Sequence, residues 1–185
     1  MGRGNLRVLG IVGSPRRGGN TETLVDEVLR GASEAGAETD KVILGDMDIH
    51  PCTACNACSR TGSCVFDDDM APTLEKMRSS GVWVLGTPVY WWGPTAQMKA
   101  FIDRWYGVDR ALFKGKKVIL VVPSGGGASY SDTTVEMLES IVPYLGIRHL
   151  GTLRAPGSSG TGSARGNKAL MERARFMGYS AATDQ

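Results

Sequence analysis

Short apolar runs alternate with amphipathic stretches along this 185-residue chain. Residues 7–13 (RVLGIVG), 39–44 (TDKVIL), 82–87, 116–122 and 147–154 are short, apolar and bounded by turn formers, and read as strands. Helical spacing marks the intervals. Residues 21–35 place Leu24, Val25, Val28, Leu29 and Ala32 on one face. Residues 93–106 carry a Met98, Phe101, Ile102, Trp105 stripe, and residues 132–145 carry Val135, Leu138, Ile141, Val142 and Leu145. Further helices are expected over 67–80, with three aspartates at its positive N-terminal end, and over 166–178. The Gly/Ser-rich stretch 155–166 reads as a mobile loop, and no internal repeat is present.

Strands alternating with helices imply βαβ units and a parallel sheet covered on both faces, hence an α/β fold. The whole of residues 1–185 reads as a single domain with a cysteine-rich loop at 51–66. A chain of this length buries roughly 70% of its unfolded surface and needs no covalent staple. Ligands in such sheets bind at the carboxyl ends of the strands. The loops after the first, third and fourth strands are therefore where chemistry is expected.

Charge narrows the function. Lysine plus arginine number 21 against 19 aspartate plus glutamate, a formal charge of +2, with no basic run. No nucleic-acid footprint is expected. No run approaches the ~18 apolar residues of a membrane span, so no membrane partner is expected either. Residues 1–5 carry no apolar leader, and Leu6 stands where myristoylation of Gly2 needs a hydroxyl. With its clustered thiols, the chain reads as cytoplasmic.

The loop after the first strand contains Gly13, Ser14, Pro15, Arg16, Arg17, Gly18, Gly19, Asn20, Thr21 and Thr23. It leads from a strand into a helix N-terminus, a natural phosphate site. Gly13 and Gly18 have P-loop spacing, but Gly19 and Asn20 follow where lysine and a hydroxyl are required. No dinucleotide fingerprint is present. A hydroxyl-rich pocket for one terminal phosphate, as in FMN, remains, set against a polar turn with a helix cap. After the third strand, Tyr90, Trp91 and Trp92 offer faces for a flat ring, Trp91 foremost, while Trp83 and Trp105 read as core. After the fourth, Ser124, Gly125, Gly126 and Gly127 let backbone approach a ligand edge. His149 reads as structural, His50 has no assignable role, and no nucleophile–base pair appears, so no catalytic side chain is nominated.

Cys52, Cys55, Cys58 and Cys64 form C-x2-C-x2-C-x5-C. Such spacing suits a 4Fe–4S cluster. Structural zinc, disulfides and free thiols compete with that reading.

Together, GSPRRGGNT (13–21), PCTACNACSRTGSCVFDDDM (51–70) and TPVYWWGPTAQMKAFIDRW (87–105) resemble the iron–sulfur flavoprotein branch of the flavodoxin-like NAD(P)H-dependent FMN reductases. The likeness runs from residue 7 to about residue 130. It implies a five-stranded flavodoxin-like sheet in 2-1-3-4-5 order, non-covalent FMN, a homodimer or homotetramer, and a cysteine loop close to the flavin. It also implies that Ser14, Arg16, Asn20, Thr21 and Thr23 hold the phosphate, that Pro88, Tyr90, Trp91 and Trp92 flank the ring, and that residues 124–127 meet its edge. The expected activity is electron transfer between a two-electron donor, with NAD(P)H a candidate, and the cluster or a ferredoxin-like one-electron carrier. A cluster-free FMN or quinone reductase is the first alternative, and a non-catalytic redox carrier or sensor the second. Arg17 and Arg104 are weak candidates for clamping an NAD(P)H 2′-phosphate.

Overall fold

The computed structural model describes residues 6–184, and the readings for residues 1–5 lie outside it. Five strands alternate with seven helices: β1 Arg7–Val12, α1 Asn20–Glu34, β2 Glu38–Ile43, α2 Ala57–Thr61, α3 Met70–Ser79, β3 Val82–Gly86, α4 Ala96–Asp103, β4 Lys117–Pro123, α5 Asp132–Tyr144, β5 Arg148–Ala155, α6 Ser163–Gly166 and α7 Lys168–Thr183. The strands form one parallel sheet in the order β2-β1-β3-β4-β5, as expected. Among the described residues, no helix is long and apolar enough to cross a membrane.

Period-two alternation within each apolar run divides the interior in two. Leu9, Ile11, Trp83, Leu85, Val118 and Leu120 face one layer, packed with α3, α4 and α5 through Met77, Phe101 and Leu138. Val8, Val12, Val82, Val84, Ile119 and Val121 face the other, beneath α1, α6 and α7. Trp83 and Trp105 lie in the first layer, 0% and 5% exposed, as their sequence context suggested.

Three helix boundaries depart from the pattern for identifiable reasons. The expected 67–80 helix begins at Met70, because Asp68 and Asp69 are spent on backbone N–H groups ahead of it and at its first residue. Asp68 receives the N–H groups of Met70 (3.1 Å) and His50 (3.0 Å), and Asp69 receives that of Asp48 (2.8 Å). The expected 93–106 helix begins at Ala96, with Thr95 capping it by accepting the Met98 N–H at 3.2 Å. The expected 166–178 helix runs on to Thr183: Gly178 lies mid-helix, where α1 presses against it. The short helices α2 and α6 had no counterpart in the pattern.

Candidate functional site

The connections leaving β1, β3, β4 and β5 meet at the carboxyl edge of the sheet. Ladder-like bonds continue past the strands: Gly13 N–H to Gly86 O (2.7 Å), Val89 N–H to Pro123 O (3.1 Å), and Ser124 N–H to Ala155 O (3.0 Å). A buried hydroxyl relay locks the first two loops together. Thr95 Oγ1 donates to Gly13 O at 2.5 Å, and Thr87 Oγ1 accepts the Thr95 N–H at 3.1 Å. Both threonines lie in the 87–105 segment, but nothing in the spacing of their residues marks them as joining two loops.

A cleft of about 240 Å³ opens there, lined by Ser14, Arg16, Gly19, Asn20, Thr21, Pro88, Val89, Tyr90, Pro123, Gly125 and residues 158–161. It lies at the N-terminus of α1, where unpaired N–H groups and the helix dipole favour an anion. Ser14 Oγ accepts the Arg16 N–H at 3.2 Å, which leaves its own proton to donate. The loop is shaped from beneath by Glu22, which accepts the Gly18 N–H at 2.7 Å and pairs with Lys41 at 2.8 Å. Burial opposes ionisation of Glu22, but Lys41, the Gly18 N–H and Arg17 outweigh it and hold its carboxyl below the usual range.

Asn20 lines the cleft, as expected of its position, whereas Thr23 does not. The Asn20 amide is engaged by the chain itself, donating to Ser158 O (3.0 Å), Gly160 O (2.8 Å) and Ser163 Oγ (3.0 Å) and accepting from Ala164 N–H (3.1 Å). It latches the Gly/Ser stretch over the cleft, so that stretch is a wall of the site and not the unattached loop its composition suggested. Thr23 is buried in the first turn of α1 and lines neither this cleft nor the cavity beside it.

The neighbouring cavity, about 270 Å³, is lined by Val89, Trp91, Trp92, Ser124, Gly125, Gly126 and Tyr130. Val89 and Gly125 line both spaces, which together reach the size of a small-molecule site. Tyr90 and Gly93 exchange backbone bonds across a two-residue turn whose corners are Trp91 (φ 51°) and Trp92 (φ 61°). Left-handed backbone costs such residues about 1–2 kcal/mol each. Trp92 is held by stacking on Tyr130 (5.8 Å, 14°) and by the Thr134 hydroxyl on its carbonyl (2.9 Å), while Trp91 is 93% exposed. A Cβ on Gly126 would come within 2.7 Å of the Tyr130 ring, so glycine is required for that stack. Gly127 lines neither cavity. Ser124 is 3% exposed, and its Oγ has no hydrogen-bond partner among the described residues.

The cysteine loop follows β2 and borders a third cavity, about 430 Å³, that all four cysteines line. Cys52, Cys55 and Cys64 are exposed and Cys58 half-buried on α2. Gly62 (φ 75°) ends α2 with its N–H on Cys58 O (2.9 Å) and turns the chain toward Cys64. A Cβ on Gly107 would stand 3.1 Å from Cys58 Sγ, so glycine there leaves room for the sulfur. The Cys55 thiol is held below the ordinary cysteine range, first by the Ala57 backbone N–H, with Thr53 and Arg60 adding to it. Among the described residues no three His, Cys, Asp or Glu side chains stand close enough to hold a metal ion. The donor set suits an iron–sulfur cluster by chemistry and by sharing one cavity; it is not drawn together in advance.

The cysteine cavity and the cleft share no lining residue. Helix α4 stands between them, its capping Thr95 bonded to Gly13 and its far end running into Arg104, about 12 Å of helix. Nor is Arg104 a nucleotide clamp: it is 5% exposed and forked onto Asp68 under the cysteine loop. Burial opposes the Arg104 charge, but Asp68 and Cys64 outweigh it and keep the guanidinium protonated. Arg17 is exposed and paired with Asp46. His50 stacks on Phe66 (4.7 Å, 6°), and His149 meets the Thr152 hydroxyl at 3.1 Å.

The NADPH-dependent FMN reductase family model matches residues 6–159. An iron–sulfur flavoprotein of Methanocaldococcus jannaschii is 43% identical over 99 residues, 54% of this chain and 51% of that one. One from Archaeoglobus fulgidus is 33% identical over 148 residues, 75% of each. The match to the Methanocaldococcus protein spans about half of that relative's length, and 64% of an iron–sulfur flavoprotein from Methanosarcina thermophila is matched at 39% identity. In fold, an NAD(P)H:quinone oxidoreductase from Methanothermobacter marburgensis superposes with a TM-score of 0.77 at 19% identity, over 96% of both chains. The chain belongs to the NADPH-dependent FMN reductase family, in its iron–sulfur flavoprotein branch.

Proposed function

We propose that this protein is an FMN-dependent oxidoreductase that passes electrons between a two-electron donor, NAD(P)H the first candidate, and a one-electron carrier by way of a 4Fe–4S cluster on the cysteine loop. The observation that carries the flavin half is Ser124: a buried hydroxyl without a partner, at the edge of a glycine-lined aromatic cavity that opens onto a helix N-terminus. A buried polar group left unpaired costs about 1–3 kcal/mol, and a ligand carbonyl or ring nitrogen would satisfy it.

Bound FMN would supply a ring able to accept a hydride and release electrons singly. Ser14, Arg16, Thr21 and the first N–H groups of α1 would hold the phosphate. The Gly125 and Gly126 backbone would approach the ring edge, where donors stabilise developing negative charge. The Trp92–Tyr130 stack would limit water at the ring's border. Hydride transfer requires no side-chain acid or base. Cys52, Cys55, Cys58 and Cys64 would hold the cluster, which supplies one-electron exchange. Within one chain α4 separates the two centres, which favours an assembly of two or four copies in which exposed Trp91 is covered. A reducing cytoplasmic setting suits the free thiols.

The unconverged thiols favour a second reading, a two-electron NAD(P)H-dependent FMN or quinone reductase with idle cysteines. Iron, sulfide, zinc and FMN contents of anaerobically purified protein separate the two. About four iron and four sulfide with one FMN per chain is the expected result. Cys55→Ser should then abolish transfer to a one-electron acceptor while FMN stays bound. FMN without iron, and none taken up on reconstitution, would leave the second reading.

A further inference from the structure

We propose that Arg104 is the positioning residue of the cysteine loop, fixing its entry and exit against each other so that Cys58 and Cys64 are presented to one cavity. This inference rests on the cluster-binding reading of that loop. The loop enters at His50 and leaves at Phe66 and Asp68, and Arg104 touches all three. Its Nη1 donates to His50 O at 2.9 Å and to Asp68 Oδ2 at 2.5 Å, and its Nη2 donates to Asp68 Oδ1 at 3.2 Å. The guanidinium lies over the Phe66 ring at 5.2 Å, and that ring stacks in turn on His50. Asp68 returns the constraint by accepting the His50 N–H at 3.0 Å.

The pair is almost fully buried, each side chain 3% exposed, whereas three of the four cysteines above it are exposed. A buried ion pair is a poor device for stability, since apolar groups of the same volume often do as well. What it supplies is direction. A planar fork fixes two acceptors at set angles, which an ammonium cannot do. Arg104 opens the turn Arg104–Gly107, whose last residue lies against the Cys58 sulfur. One short segment therefore ties down both ends of the loop and forms the floor under its middle.

The test uses full-length, FMN-loaded protein with no cluster, comparing wild type, Arg104→Lys and Asp68→Asn. Each thiol's alkylation rate with iodoacetamide is followed by mass spectrometry, beside FMN content and melting temperature. Both variants should alkylate Cys58, the half-buried thiol, about tenfold faster while retaining FMN, because local opening of the loop no longer costs the fork. Lysine, which keeps the charge and lacks the fork, should not rescue. On anaerobic reconstitution both variants should take up less than half the iron and sulfide of wild type. A general weakening of the fold would instead lower melting temperature and FMN content together, with every thiol accelerated alike, and would overturn the proposal; so would unchanged Cys58 kinetics. Should both variants fail to fold, Phe66→Leu keeps the buried pair, removes the ring between His50 and Arg104, and must show the same Cys58 signature. If wild type takes up no iron, the cluster reading falls, while the alkylation comparison still decides whether Arg104 sets the loop.

Discussion

Ser124 and Asn20 illustrate opposite uses of a polar side chain at the same sheet edge. The first is buried with nothing to bond among the described residues; the second is saturated by its own chain. Replacing an unpaired buried hydroxyl removes a penalty of about 1–3 kcal/mol in the flavin-free protein. Ser124→Ala should therefore unfold at equal or higher temperature without flavin, yet bind FMN about tenfold more weakly, the worth of roughly one hydrogen bond near charge. Thermal unfolding and flavin titration on one preparation check both signs; lower stability in the flavin-free variant would mean that the hydroxyl has a partner within the protein. At this scale the sequence was informative about chemistry and poor about commitment. Asn20 has the type and place of a phosphate ligand, and nothing in its neighbours reveals a latch to residues 138–144 positions away. Arg104 likewise looks like any surface arginine until its helix is placed against the loop that Asp68 ends.

Helices α1 and α7 pack backbone on backbone. A Cβ on Gly31 would stand 1.9 Å from Arg175 O, and one on Gly178 would stand 1.8 Å from Val28 O. Propensity alone favours alanine over glycine in a helix by about 1 kcal/mol. Overpacking a fixed contact costs about 1–3 kcal/mol or more, and at these distances it wins. Gly178→Ala should lower the melting temperature by several degrees, at about 2–4 °C per kcal/mol for a domain of this size. Gly166→Ala, where nothing lies within 4 Å of the added methyl, should leave it unchanged. Thermal scans of the two variants decide the matter; equal stability would mean that the helices slide apart without cost. The same contact explains a boundary that periodicity missed. Gly178 has the look of a helix terminator, and it is there because a neighbouring helix needs the space. The starts of α3 and α4 escaped for a related reason: hydrophobic spacing reports which face is buried, whereas the first residue of a helix is set by which side chain captures its free N–H groups.

Strand number and the two covered faces were readable, because β-branched apolar runs separated by amphipathic stretches have few ways to bury both faces of a sheet; the strand order came only from the family resemblance. The fourth wall of the cleft was not, since a run of glycine and serine has no period to read. That wall is held by the Asn20 amide and by two backbone bonds, Gly157 N–H to Gly126 O (2.9 Å) and Ser158 N–H to Ser124 O (2.8 Å). Asn20→Ala should leave global unfolding nearly unchanged, open residues 155–166 to proteolysis, and weaken FMN binding by about tenfold, the loss of bonds worth about 0.5–1.5 kcal/mol each. Limited proteolysis with mapping of the cut site checks the first effect and flavin titration the second; resistance equal to that of wild type would show that the backbone bonds of Gly157 and Ser158, with α6 and α7, hold the wall without Asn20. The latch also has a temporal side. Residue 20 leaves the ribosome some 140 residues ahead of the carbonyls it binds. At about 5–20 residues per second, that is a gap of roughly 7–30 seconds. Through it the Gly31 face of α1 waits for α7 and the cleft stands open on one side, and a product truncated before residue 158 lacks the side of the cleft that closes it.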